Sequence, residues 1–157
     1  MALALEEAKE AAALGEVPVG AVVVLEPYDA ATRTVTAEPQ VIATAHNLRE
    51  TSNDASAHAE FLAMREAMEK LDAWRLSDCT VYVTLEPCLM CAGLMQQARV
   101  AACVFGAFDP KGGALGSLYQ LNDDERLNHS FAVEGGIMEE ECSQVLKDFF
   151  AMRRARK

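Results

Sequence analysis

His58-Ala59-Glu60 is followed, one secondary-structure unit further on, by Pro87-Cys88-Leu89-Met90-Cys91. If these two segments serve one centre, the fold has to bring them together. One His and two Cys make three soft or borderline ligands, and structural zinc sites close with four. Three protein ligands leave zinc a fourth position for water, the arrangement of a hydrolytic site. Glu60, two residues after the His, is the natural proton carrier for such a water. The pair of half-motifs therefore implies hydrolysis of a small planar substrate.

The rest of the chain supplies the frame. Its 157 residues are 51% apolar, enough for one domain with a real core. The pattern predicts a helix over 3–14 ended by Gly15, and a buried strand over 19–25 around Val22-Val23-Val24. Residues 26–40 are polar and carry Pro27 and Pro39; they read as an elongated hairpin loop in which 32–36 can extend a strand. A strand over 41–45 returns. Thr51-Ser52-Asn53-Asp54 precedes a helix that starts near Ala57, with Phe61, Met64, Met68 and Leu71 at helical spacing. Next come a strand over 80–85, a helix from Pro87 to about Gln97, and a strand over 100–105. A loop-rich stretch over 106–128 has a short helix near Leu118, and a strand over 131–134 leads into a last helix that runs to the end. This order predicts a single domain over 1–157, with a three-layer α/β/α fold and a five-stranded mixed sheet flanked by helices.

On this frame His58 lies in the first turn of one helix, and Cys88 and Cys91 in the first turn of another. Spacing of i and i+3 puts both sulfurs on one face. Two helix N-termini then favour thiolate and anion at one spot. A metal there brings the pKa of bound water toward about 7. Glu60 is placed to take that proton and return it to a leaving nitrogen, and enclosure should raise its proton affinity. His46 and His129 have no second ligand at short spacing and are read as hydrogen-bonding residues. Cys79, Cys103 and Cys142 sit among apolar residues as buried thiols. No stretch is apolar and long enough to span a bilayer, and no secretory segment is seen, so a reducing cytoplasm is expected. The net charge of −10 speaks against a nucleic-acid partner, yet Arg153, Arg154, Arg156 and Lys157 crowd the last five positions. They read either as cations complementing a helix C-terminus or as a basic tail over 153–157 that meets phosphate.

The half-motifs together resemble the zinc-dependent nucleobase deaminases of the cytidine deaminase-like superfamily. Further segments are similar to the bacterial tRNA-specific adenosine deaminases: Gly15-Glu16-Val17-Pro18-Val19-Gly20-Ala21-Val22, Thr84-Leu85-Glu86-Pro87-Cys88-Leu89-Met90-Cys91-Ala92-Gly93, the loop from Val104 to Ser117, and Asp148-Phe149-Phe150-Ala151-Met152-Arg153-Arg154. The resemblance implies hydrolytic deamination of the wobble adenosine of tRNA to inosine, chiefly on an arginine tRNA with anticodon ACG. It implies one zinc per subunit on His58, Cys88 and Cys91, with Glu60 as proton shuttle. It places Asn47 on the nucleoside, Val17 on an apolar pocket face, and backbone groups of Ala59 and Leu85 near the base. Asp109, Lys111, Phe149, Arg153 and Arg154 match positions near a bound anticodon stem-loop, and a homodimer is expected. Two departures stand out: residues 26–40 exceed the family's tight hairpin, and Ala55 stands where the family often has Pro. Two other readings share the signature: a deaminase of a free base or nucleotide such as guanine or cytosine, and a non-catalytic zinc-stabilised subunit, against which Glu60 speaks.

Overall fold

The computed structural model describes residues 1–29 and 34–156. Thr32 and Arg33 of the expected strand extension, and Lys157 of the basic terminus, lie outside the described residues. The sheet has five strands in the order β4-β1-β5-β6-β7. These are β1 (Gly20–Leu25), β4 (Gln40–His46), β5 (Cys79–Leu85), β6 (Ala102–Ala107) and β7 (Ala132–Gly135). β1 runs antiparallel to both β4 and β5, whereas β5–β6 and β6–β7 are parallel, so the sheet is mixed as expected. Between β1 and β4, β2 (Tyr28–Asp29) and β3 (Thr34–Val35) form a separate antiparallel pair. The long loop over 26–40 is thus a hairpin with its own short ladder.

β1 explains the layers. It is an interior strand covered on both faces, and its sequence is an unbroken apolar run rather than an alternation. Ala21 and Val23 join the core with Ala59, Ala63, Met64 and Ala67 of α2 (Ala59–Leu71) and with Ala92 and Met95 of α3 (Leu89–Ala98). Val22 and Val24 face the other way, onto Ala4 of α1 (Ala2–Ala13). α4 (Glu139–Ala155) lies on that second side, where Cys142 packs with Leu5. The result is the three-layer α/β/α fold.

α1 comes very close to the sheet. Ala4, Ala8 and Ala11 are wholly buried, and a Cβ added to Gly20 would fall on the Ala4 carbonyl oxygen and the Ala8 nitrogen. Those are backbone atoms of a helix and have no rotamer to change. Gly20→Ala should therefore destabilise the protein by about 1–3 kcal/mol, read as a lower denaturant midpoint with an unchanged slope.

Several expectations need correction. His58 and Cys88 are the N-cap residues of α2 and α3, not members of their first turns; Pro87 lies one residue before the cap. α2 buries Ala59, Glu60, Ala63, Met64 and Ala67, while Phe61 is only partly covered, because small alanines let the helix sit down on the sheet. The short helix expected near Leu118 is a 3-10 turn at Leu121–Asp123. Arg153 and Arg154 lie in the last turn of α4, so the basic terminus begins as helix rather than tail. Cys79, Cys103 and Cys142 are buried thiols, and burial pushes Cys79 and Cys142 up to about 11. His46 pairs with Glu7 at 2.7 Å and His129 with the Val100 carbonyl at 2.8 Å, the hydrogen-bonding roles expected of both.

Candidate active site

The N-termini of α2 and α3 converge. His58 Nδ1 stands 3.6 Å from Cys88 Sγ and 3.7 Å from Cys91 Sγ. His58 makes no capping bond to its own helix, and its imidazole turns toward the two sulfurs of α3 instead. The unsatisfied amides of two first turns thus gather near one point, adding positive potential. A hydrogen bond from Cys91 pulls the Cys88 thiol down to about 3, with His58 assisting against burial. The same bond and burial push Cys91 up, and the bond to Cys88 raises His58. Three donor atoms this close, one nitrogen and two sulfurs, form a group able to hold a metal ion.

Above this group is a cavity of about 190 Å³, lined by Val17, Val19, Asn47, Arg49, His58, Ala59, Glu60, Leu85, Glu86, Cys88 and Asp109. Glu60 belongs to the buried face of α2 yet reaches the cavity. Burial raises its carboxyl above the ordinary value, against the pull of its own backbone amide and of His58. A carboxyl with raised proton affinity beside a metal-binding trio is suited to accept and return a proton.

Of the residues singled out from the sequence, the structure brings Val17, Asn47, Ala59, Leu85 and Asp109 to this cavity with the trio and Glu60. Lys111 is exposed on the loop that follows Asp109, where its amide bonds Asp109 Oδ1 at 2.9 Å. Phe149, Arg153 and Arg154 lie on α4, outside the cavity lining. Phe149 is buried, with the Arg153 guanidinium 5.7 Å above its ring, so the outward groups there are the two arginines.

Sequence reasoning missed two carboxylates: Glu86, which lines the cavity, and Glu16, which holds Asn47 and the turn that carries Arg49 to it. Glu16 is 1% exposed and accepts from Thr51 N at 2.6 Å, Asn47 Nδ2 at 3.1 Å and Glu50 N at 3.3 Å. Burial alone would raise its carboxyl, but the amide donors of Thr51 and Glu50 together hold it below the ordinary value. Glu86 is 2% exposed and accepts from Asp109 N at 3.0 Å, Leu115 N at 3.1 Å, Ser117 N at 2.9 Å and the Ser117 hydroxyl. Glu86 thereby ties the 109–117 loop over the α3 N-terminus, and any Cβ at Gly113 would collide with its carboxyl group. Each acid sits alone in an apolar run, between Gly15 and Val17 or between Leu85 and Pro87, which is the signal that could have found them. Arg49, carried on the loop that Glu16 holds, was also missed.

Known proteins with this architecture share the chain's sequence as well. Residues 1–154 match the MafB19-like deaminase family. The tRNA-specific adenosine deaminase of Bacillus subtilis (strain 168) is 49% identical over 154 residues, 98% of this chain and 88% of that protein. That of Haemophilus influenzae (strain ATCC 51907 / DSM 11121 / KW20 / Rd) is 45% identical over 157 residues, 100% of this chain and 84% of that protein. A structure from a study of A-to-I editing by tRNA:A34 deaminases at the wobble position of transfer RNA superposes with a TM-score of 0.82 at 40% identity, covering 93% of this chain and 97% of that one. A guanine deaminase from Nitrosomonas europaea superposes with a TM-score of 0.76 at 22% identity, over 96% of this chain and 82% of that one, a likeness of fold alone. By its near-full-length identity to these relatives and its match over residues 1–154, the chain belongs to the family of tRNA-specific adenosine deaminases, within the MafB19-like deaminases.

Proposed function

We propose that the cavity takes the wobble adenosine of a tRNA, in the ACG anticodon of an arginine tRNA, and hydrolyses it to inosine with release of ammonia. The observation that carries this reading is that Glu60, with its raised proton affinity, lines the same small cavity as His58 and Cys88, in a chain 49% identical to a tRNA-specific adenosine deaminase.

Zinc is the ion that fits the trio. With zinc bonds of about 2.0–2.3 Å at tetrahedral angles, nitrogen and sulfur ligands stand about 3.6 Å apart, against 3.6 and 3.7 Å here. One zinc per subunit would be held by His58, Cys88 and Cys91 and would supply a Lewis acid that lowers the pKa of water toward about 7. The chain's own groups do the rest. Glu60 takes one proton from the attacking water and gives it to the ring nitrogen beside the amine-bearing carbon; it then takes the proton of the new hydroxyl and passes it to the amino group, so that the C–N bond breaks, the carbonyl forms and ammonia leaves. Asn47 hydrogen-bonds the nucleoside, Val17 covers one face of the base, and backbone groups of Ala59 and Leu85 meet its edge. Loop bases are already unpaired, which lowers the cost of moving one into the cavity.

Asp109 and Lys111 border the mouth, and Arg153 and Arg154, with Phe149 beneath, face the RNA further out. These cations give an otherwise acidic chain a local basic surface for phosphate. No helix among the described residues is long and apolar enough to cross a membrane, and the free thiols suit the cytoplasm. Leu89, 49% exposed beside Cys88 at the start of α3, supports an apolar homodimer interface near the metal.

Purified protein should form inosine in an ACG anticodon stem-loop and release no ammonia from free guanine or cytosine. Ammonia from guanine, with the RNA unchanged, would replace tRNA by a free base as substrate.

A further inference from the structure

We propose that Glu16 is a positioning residue that fixes the orientation of the Asn47 side-chain amide, so that Asn47 offers its carbonyl oxygen to the nucleoside. This rests on the reading that the cavity takes the target adenosine.

Glu16 receives only donors: the backbone N–H groups of Thr51 and Glu50, the Thr51 hydroxyl, and the Asn47 side-chain Nδ2. An ionised carboxylate is acceptor-only, so this set satisfies it. The Asn47 main chain is fixed independently, by its amide bond to the Val19 carbonyl at 3.0 Å. What remains free is rotation of the terminal amide. With Nδ2 on Glu16, Oδ1 points away, and it meets no donor among the described residues, although Asn47 is buried and lines the cavity. Turning the amide over would set Oδ1 against a carboxylate oxygen, exchanging a hydrogen bond to a charged group for acceptor repulsion. The acid therefore decides which atom of a neutral amide the substrate finds. The same carboxylate anchors the 49–51 turn, which carries Arg49 to the cavity rim.

Glu16→Gln tests this because a glutamine cannot replace an acceptor-only group. Thr51 N holds Oε1 at 2.6 Å, a shorter bond than those from Asn47 and Glu50, so the glutamine oxygen stays there. Its NH2 takes the place of Oε2, which had accepted from both Asn47 Nδ2 and Glu50 N, and Asn47 must turn and present Nδ2 to the substrate. Asn47→Asp alone sets two carboxylates in contact. The double exchange Glu16→Gln with Asn47→Asp keeps the volume and total charge: the glutamine NH2 donates to one Asp oxygen, and the other oxygen faces the cavity as acceptor.

The readout is kcat/KM for inosine formation in the ACG stem-loop, beside thermal unfolding of each variant. Glu16→Gln is expected to lose about 10- to 100-fold, the effect of a misdirected buried hydrogen bond. Asn47→Asp should lose at least as much, and the double variant should regain about tenfold or more over either single one. A double variant no better than the weaker single one, or a Glu16→Gln enzyme within twofold of wild type, overturns the proposal. If either single variant fails to fold, the Asn47 side-chain amide of 15N-labelled wild-type protein decides. One proton shifted downfield and slow to exchange supports it, and two protons that both exchange fast at the shifts of a free side-chain amide overturn it. A wild-type enzyme that makes no inosine would instead defeat the substrate reading, which separates the two failures.

Discussion

Glu60→Gln should keep the metal and lose about 10²- to 10⁴-fold in kcat, the span that a positioned proton carrier contributes. The substitution preserves shape and hydrogen-bonding capacity but removes the group that can take and return a proton. Glu60 is buried on the α2 face that packs against the sheet, so an apolar replacement would confuse loss of chemistry with loss of packing. Gln avoids this, and it spares the protein the cost of an ionised carboxylate in a dry site. Metal content measured by elemental analysis should match wild type, and thermal stability should not fall. An active, metal-replete Glu60→Gln enzyme would contradict the role assigned to this carboxyl.

Cys91→Ala has an effect of similar size by a different route. Cys91 is wholly buried, and its sulfur completes the trio with His58 and Cys88. Without it two ligands remain, too few for a closed-shell ion to compete with water and buffer. The expected result is a fall from one metal per chain to a small fraction of that, with no measurable deamination. Stability should fall too, because bound metal ties the starts of α2 and α3 together and stabilises by linkage. Cys103→Ala is the control: Cys103 is equally buried, but in β6 and outside the trio, so that variant should retain its metal. Loss of metal from both variants alike would point to general unfolding.

How far the site could be read from residues alone follows from how local each interaction is. β1 was legible because a strand covered on both faces writes itself as an apolar run, and β5 because Thr80-Val81-Tyr82-Val83-Thr84 is a run of β-branched and aromatic residues. The trio was legible because metal ligation demands particular residue types at short spacing. The caps were misread because neither His nor Cys is a residue type that ordinarily caps a helix. Leu118 looked helical in a loop whose form is set from outside by Glu86. Glu16 and Glu86 escaped notice for the same reason. Their partners lie more than twenty residues away, on backbone N–H groups that carry no sequence signature. The chemistry of this site is therefore local in sequence, while its walls are held by long-range bonds to two buried acids.

The central claim is that this cavity hydrolyses one particular adenosine in RNA. The most direct measurement is nucleoside-resolved mass spectrometry of an ACG anticodon stem-loop after incubation with the zinc-loaded wild-type protein. Inosine at the wobble position alone, with the other adenosines of the hairpin untouched and one ammonia released per inosine, is the expected result. An unchanged wobble adenosine in the presence of folded, metal-replete protein would contradict it.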